Sequence, residues 1–319
     1  MVVALADAQV TVVGLGLMGG SLAAALRRRE SCRRVVGVTR QASKISRARQ
    51  LGFVDEATTD VGQALADADV IVLATPVTDI VAKLATMGPL LKPGALVTDV
   101  GSTKRAICAA MEALPSAVHA VGGHTMCGKE ASGLAVADPA LYEGKRYVLC
   151  PLPNTTPDAL ALATALAEGV GAKPVVLDPA RHDAAVAAAS HLPYCMAVAL
   201  VLAAETLSSE DDLAWDLAAS GFRDNSRVAA SDVRMMLDIL QGESGEASGI
   251  VAVSTRNDLA LLATTAPMNL PPLTISGNPL RDSGAVTAVG YPMNVDRAQG
   301  LSSGDIFRAH PPVKSTGFL

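Results

Sequence analysis

Gly14-Leu15-Gly16-Leu17-Met18-Gly19 carries the spacing G-x-G-x-x-G. The first glycine permits a tight turn, the second lets backbone approach a pyrophosphate, and the third lets a helix pack closely on a strand. A helix opening there offers free N–H groups and a partial positive charge to phosphates. Glycines serving a tight turn alone would show the same spacing. The context favours a dinucleotide, because the motif directly follows the β-branched run Gln9–Gly14 and leads into a helical stretch. About 20 positions on, an acidic side chain would bond a ribose diol and select NAD. Here the stretch is Val38-Thr39-Arg40-Gln41-Ala42-Ser43-Lys44, without a carboxylate. Thr39, Arg40 and Ser43 suit a 2′-phosphate, with Arg40 as a forked charged donor. NADP is therefore expected over NAD; as a plain surface charge, Arg40 would leave the choice open.

Sheet enzymes with such a turn bind ligands beyond the carboxyl ends of their strands. Three segments are expected there: Ala74-Thr75-Pro76, Asp99–Lys104, and Gly122–Glu130. In the third, His124 stands among glycines after a strand, a poor place for core packing and a good one for a group that accepts protons near neutral pH. His124 is the candidate catalytic base. Ser102 suits a bond to that imidazole or to a nicotinamide amide, or an N-cap for a helix over Thr103–Leu114. Further along stand Arg181-His182-Asp183, Ser190-His191-Leu192-Pro193-Tyr194 and Ser220–Arg227. Arg223 and Arg227, four apart near a glycine, suit a carboxylate clamp or a solvated helix face.

The elements that must position these groups follow from the pattern. Strands are expected at Gln9–Gly14, Arg34–Val38, Val70–Ala74 and Ala95–Val100, with more at Ala117–Gly122, Arg146–Cys150 and Pro174–Leu177. Helical stretches at Gly19–Arg29 and Ser43–Leu51 alternate with them, which implies right-handed βαβ units and a doubly wound parallel sheet. That α/β domain is expected over 1–178. Asp183–Ser208, Glu210–Ser220, Ser226–Leu240 and Gly249–Thr264 read as helices, giving an all-α domain over 179–265. Pro193 should kink the first of them. Pro and Gly thicken from Pro267 on, and no period survives there, so 266–319 is expected to be an irregular tail.

Composition narrows the function classes. The chain has 319 residues, half of them hydrophobic, enough for roughly two domains with sizeable cores. A net charge of −5 and 3% aromatics disfavour nucleic-acid binding. Cys32, Cys108, Cys127, Cys150 and Cys195 form no CxxC pair, so reduced thiols in a cytoplasmic protein are expected, with no metal site. No signal peptide is read at the N-terminus. Ala184–Ala204 is free of charge over a membrane-spanning length, but it holds Ser190, His191, Pro193 and Tyr194 and is rich in alanine. It reads as a buried helix at a subunit interface, not a membrane span.

GLGLMGGSLA at 14–23, DVGSTK at 99–104, GGHTMCGKEASG at 122–133, LYEGKRYVLCP at 141–151, SHLPY at 190–194 and SGFRDNSR at 220–227 together resemble the prephenate/arogenate dehydrogenase family of tyrosine biosynthesis. The resemblance covers about 9–262. It implies a Rossmann-type domain followed by a helical dimerisation domain, and a homodimer. It implies oxidative decarboxylation of prephenate to 4-hydroxyphenylpyruvate with NAD(P)+, or of arogenate to tyrosine. The dinucleotide contacts expected from the glycine motif and the strand ends are Gly14, Gly16, Leu17, Met18, Gly19, Thr39, Arg40, Ser43, Thr75 and Pro76. His124 matches the family's catalytic histidine and Ser102 the serine that positions it. Arg227 matches a carboxylate-binding arginine. Arg223, Glu130 and Asp183 match an ionic network around the pocket, and His191 matches the SHLP histidine. Thr125 stands where the family usually has proline, and Tyr194 where some members carry a second histidine. The Thr39-Arg40 stretch is closer to NADP-using, arogenate-preferring relatives.

Overall fold

The computed structural model describes residues 3–129, 131–207, 213–244, 250–254, 259–263 and 285–289. The chain divides into two compact units, Met1–Ala184 and Ala185–Leu319.

The first unit is built on eight strands: β1 (Gln9–Val13), β2 (Arg34–Val38), β3 (Glu56–Thr58), β4 (Val70–Leu73), β5 (Leu96–Asp99), β6 (His119–Thr125), β7 (Arg146–Pro151) and β8 (Lys173–Val176). They lie in the order β3-β2-β1-β4-β5-β6-β7-β8. Seven helices accompany them: α1 (Leu17–Arg28), α2 (Ala42–Gln50), α3 (Val61–Ala66), α4 (Val77–Met87), α5 (Arg105–Met111), α6 (Pro157–Gly169) and α7 (Pro179–Val186). Strand order reverses between β1 and β4, and this switch point is where such sheets open a ligand crevice.

Side chains alternate across each strand, and both faces of the sheet are covered. Val10 and Val12 of β1 join Leu22 and Leu26 of α1 and Leu162 and Leu166 of α6 in one core. Val13 joins Ile71 and Leu73 of β4, Ile80 and Leu84 of α4, and Ile107 and Met111 of α5 in the other. Burial on both faces is why these strands are continuous apolar runs.

The sheet departs from the all-parallel expectation at one edge. β7 runs antiparallel to β6, and β8 runs parallel to β7. β6 and β7 are joined without an α-helix, and a parallel pair needs a crossover, usually helical.

The second unit begins with a π turn, Ala187–His191, and continues as α8 (Leu192–Leu207), α9 (Leu213–Asp216), α10 (Ser220–Ser226), a 3₁₀ turn Arg227–Ala230, and α11 (Val233–Ser244). The expected disturbance at Pro193 takes the form of that π turn. Proline has no N–H for the carbonyl of Ala189, and its ring crowds that carbonyl, so the helix widens just before it. Pro179–Glu205 is long and apolar enough to cross a membrane by length and composition, with mean hydropathy 1.8. Within it Val198 and Val201 are buried in a cluster with Trp215, Ala229 and Met236.

Three strands follow where helix or irregular chain was expected: β9 (Ile250–Ser254), β10 (Leu259–Ala263) and β11 (Ala285–Val289), antiparallel in the order β11-β10-β9. Of the helix expected over Gly249–Thr264, the described residues Ile250–Ser254 and Leu259–Ala263 are strand; of the tail expected to be irregular, Ala285–Val289 is strand and the rest lies outside the described residues. Short apolar runs do not reveal by period alone whether they are helix or strand. Ile250-Val251-Ala252-Val253 adds the β-branched residues that favour a pleated surface.

Gly19 shows how tightly α1 sits on the sheet. A Cβ there would lie 2.0 Å from the Gly14 carbonyl oxygen and 2.9 Å from Ala74 Cβ. Both belong to the packed frame, so Gly19→Ala is expected to lower unfolding free energy by about 1–3 kcal/mol, the usual range for an overpacked core. Urea denaturation measures it, and an unchanged midpoint would contradict this packing.

Candidate active site

The carboxyl ends of β1, β4, β5 and β6 share one sheet edge, because these strands are parallel. At β1, Gly14 has φ +106°, and a Cβ there would meet the Ala74 carbonyl oxygen at 2.6 Å and Thr75 Cγ2 at 2.7 Å. Only glycine serves both demands. A Cβ on Gly16, by contrast, would meet nothing within 4 Å, so the turn is open where a phosphate would approach. Gly16 caps α1 without a side-chain bond, which leaves the first-turn N–H groups of Leu17 and Met18 to a ligand. The Met18 carbonyl is held by the Tyr142 hydroxyl at 2.9 Å. These residues fit a dinucleotide pyrophosphate.

Thr75 and Pro76 follow β4, and Pro76 caps α4. Thr39 closes β2, buried, with its hydroxyl accepting from the Gln41 N–H at 3.3 Å. Arg40 and Ser43 are exposed beside it. Arg40 helps to hold the Asp79 carboxyl low, with Lys83 and Thr75 contributing more, against burial, which works to raise it.

At the end of β5, Asp99 and Lys104 form an ion pair with no exposed surface. Asp99 also accepts from the Gly123 N–H at 2.8 Å and the Gly101 N–H at 2.7 Å. Lys104 Nζ donates to the Gly123 carbonyl at 2.5 Å. Burial pushes the Asp99 carboxyl up, and Lys104 and the two N–H groups oppose it. The pair therefore grips the strand residue next to His124 on both its N–H and its carbonyl.

His124 is near the end of β6 and is buried. Its Nδ1 lies 2.7 Å from His182 Nε2, with the rings edge to face at 4.9 Å between centroids. His182 Nδ1 lies 2.7 Å from Asp183 Oδ1. Asp183 accepts also from the backbone N–H of Lys104 at 2.7 Å and of Arg105 at 2.9 Å. Burial works to raise the Asp183 carboxyl, but His182 and these N–H groups hold it below the ordinary carboxylate range. Asp183 thus caps α5. The cap role open to Ser102 is not taken by it: α5 starts at Arg105, and Ser102 is half-buried on the loop after β5. The first unit extends to Ala184 and so includes Asp183.

In the second unit, His191 is buried in the π turn. Tyr194 is buried in the helical core, and burial raises its hydroxyl, keeping it a neutral donor. Arg223 is on α10, exposed and 3.3 Å from Asp224 Oδ1; Arg227 is the exposed residue that ends that helix. Glu130 lies outside the described residues. Sequence reasoning missed the roles of His182, Lys104 and Asp99. The signal for His182 was its neighbour: an aspartate after a histidine at the start of a helix can orient that ring.

Comparison with known proteins bears on this arrangement. The family model described as "Prephenate dehydrogenase, nucleotide-binding domain" matches residues 22–176, and "Prephenate dehydrogenase, dimerization domain" matches 178–249. A solved Synechocystis arogenate dehydrogenase is 39% identical, with a TM-score of 0.66 over 74% of this chain and 84% of that one. The chain belongs to the prephenate/arogenate dehydrogenase family. A prephenate dehydrogenase from A. aeolicus, solved with hydroxyphenyl propionate and NAD+, is 34% identical with a TM-score of 0.69, covering 75% of this chain and 83% of that one. The prephenate dehydrogenase of Bacillus subtilis (strain 168) is 33% identical over 233 residues, 72% of this chain. The chain spans 63% of the length of that relative.

The lowered carboxyl of Asp183 has a consequence for stability. A group depressed in the folded state contributes stability above its unfolded value, about 3.9 for aspartate, and loses it as pH falls through the folded value. Asp183→Asn is expected to lower urea stability at pH 7 by about 1–3 kcal/mol, the cost of weakened charge-assisted bonds. The gap to the parent should narrow as pH is taken below about 4. A gap constant with pH would contradict an ionised Asp183 at the head of α5.

Proposed function

We propose that this protein is a prephenate dehydrogenase, catalysing oxidative decarboxylation of prephenate to 4-hydroxyphenylpyruvate with NADP+ preferred over NAD+. The observation that carries the proposal is the imidazole of His124, held at the same sheet edge as the Gly14–Gly19 turn. A nicotinamide dinucleotide bound at that turn supplies the hydride acceptor. His124 takes the proton of the ring C4 hydroxyl as the C4 hydride leaves, and the ring carboxylate departs as CO2. The electron pair released aromatises the ring, and the proton on His124 returns to the phenolate oxygen. Aromatisation drives the chemistry, so the protein mainly aligns the reacting atoms.

Gly14, Gly16, Leu17, Met18 and Gly19 bind the pyrophosphate in this reading, with Thr75 and Pro76 along the crevice. Thr39, Arg40 and Ser43 take the 2′-phosphate, supported by the absence of a carboxylate after β2. Ser102 positions the imidazole or the nicotinamide amide. Arg227 receives a substrate carboxylate, with Arg223, His191, Tyr194 and Glu130 as further substrate contacts. Arogenate is the second reading, favoured by the 39% identity to the Synechocystis enzyme and by Arg40. We assign the protein to the cytoplasm, which suits five cysteines that form no disulfide, and away from membranes. A homodimer through the helical unit suits exposed Leu207, Leu213 and Leu217.

The test is NADPH and NADH formation followed in parallel with prephenate and with arogenate. Turnover of prephenate with a higher kcat/KM for NADP+ is expected. His124→Gln should lose at least about 100-fold in kcat with dinucleotide affinity kept. A preference for NAD+ would overturn the 2′-phosphate assignment. An unchanged rate in the variant would remove His124 from the mechanism.

A further inference from the structure

We propose that His182 is a positioning residue that, with Asp183, fixes the tautomer of His124 so that its Nε2 is the proton acceptor. The inference deepens the proposed function and rests on it for the role of Nε2; the tautomer itself stands on the geometry.

Asp183 accepts from two backbone N–H groups, those of Lys104 and Arg105, and its Oδ1 lies 2.7 Å from His182 Nδ1. Its carboxyl is therefore ionised at neutral pH and has no proton to give. The short contact to His182 Nδ1 requires the hydrogen to be on that nitrogen. His182 has no exposed surface. In the neutral ring, Nε2 then holds a lone pair and must accept. Its partner at 2.7 Å is His124 Nδ1, so that nitrogen carries the hydrogen. In the neutral His124 ring the basic nitrogen is then Nε2.

Each link is constrained from outside. Asp183 is tied to the N-terminus of α5, so the carboxylate cannot swing toward His124 without uncapping that helix. The edge-to-face crossing of the rings, 77° between planes, aims His182 Nε2 at the edge of the His124 ring. Gly123, one residue before His124, is clamped by Asp99 and Lys104. When His124 gains a proton on Nε2, the new imidazolium keeps its Nδ1–H bond to His182, and the negative charge of Asp183 is one ring away. The same network thus sets the tautomer before the reaction and stabilises the charge formed during it. This is the division of labour between an orienting carboxylate and a base in acyl-transfer triads, lengthened here by one imidazole.

Two measurements test it. Long-range ¹H–¹⁵N correlation spectra of histidine-labelled protein read the tautomer of His124 directly and need no turnover. His124 is expected as the Nδ1–H form in the parent; a proton on Nε2 at neutral pH would overturn the proposal. For kinetics, His182→Phe keeps a ring but offers no acceptor, whereas His182→Gln keeps an acceptor. His182→Phe should lower kcat about 100-fold with KM within about threefold, and His182→Gln should recover most of that loss. Equal kcat in all three proteins would overturn it. Should the parent turn over neither prephenate nor arogenate, the function proposal fails, while the spectrum still decides the tautomer.

Discussion

One carboxylate ties together the end of the first unit that holds the candidate site. Asp183 reaches from α7 to the two backbone N–H groups that open α5, 79 and 78 residues earlier. A helix N-terminus attracts negative charge through its free N–H groups and its dipole. In many folds a local serine or aspartate fills that need. Here the cap comes from elsewhere in the chain, and it brings His182 with it.

A second constraint works from below. The strand carrying His124 must lie close to β5, and its glycines make that possible. A Cβ on Gly123 would come within 2.2 Å of the Asp99 carbonyl oxygen, and one on Gly122 within 2.6 Å of Cys108 Sγ. The close approach lets a buried Lys104–Asp99 pair bond both polar groups of Gly123. Burying two charges is costly unless each is well partnered: Asp99 has an ammonium and two N–H groups, and Lys104 gives two of its three N–H groups to a carboxylate and a carbonyl. The residue types Asp99, Lys104, Gly122, Gly123 and His124 are thus one interlocked arrangement. The glycine turn at β1 obeys the same logic on the other side of the crevice. Gly14 and Gly19 are held by close backbone contacts, while Gly16 faces open space.

Much of the first unit was legible because its central strands β1, β4 and β5 are buried on both faces and α1 begins at a glycine-rich turn. β1, the turn and α1 were readable from Gln9 to Arg28 for that reason. His124 stands out as a candidate in the sequence because a histidine between two glycines and a short polar loop has little packing role, and the structure sets it beside His182. What escaped the sequence escaped for physical reasons. The direction of β7 is not encoded in its own residues; it follows from how β6 connects to it. β3 is three residues long and carries no apolar run. Lys104 reads as a solvated charge until its partner five positions earlier is seen to be buried. His182 acts on a ring 58 positions away, and no local period announces such a contact. The strands Ile250–Ser254 and Leu259–Ala263 are not told from helix by their residues, because short apolar runs serve either state and tertiary pairing decides between them.

The central claim is that the imidazole of His124 and the Gly14–Gly19 turn face one ligand. The most direct measurement is an NMR titration of the labelled protein with NADP+, following the imidazole signals of His124 and His119, which lie toward opposite ends of β6. The account predicts shifts at His124 and at the amides of Gly14–Gly19, with His119 unmoved. Shifts at His119 alone, or at the turn with His124 silent, would contradict it.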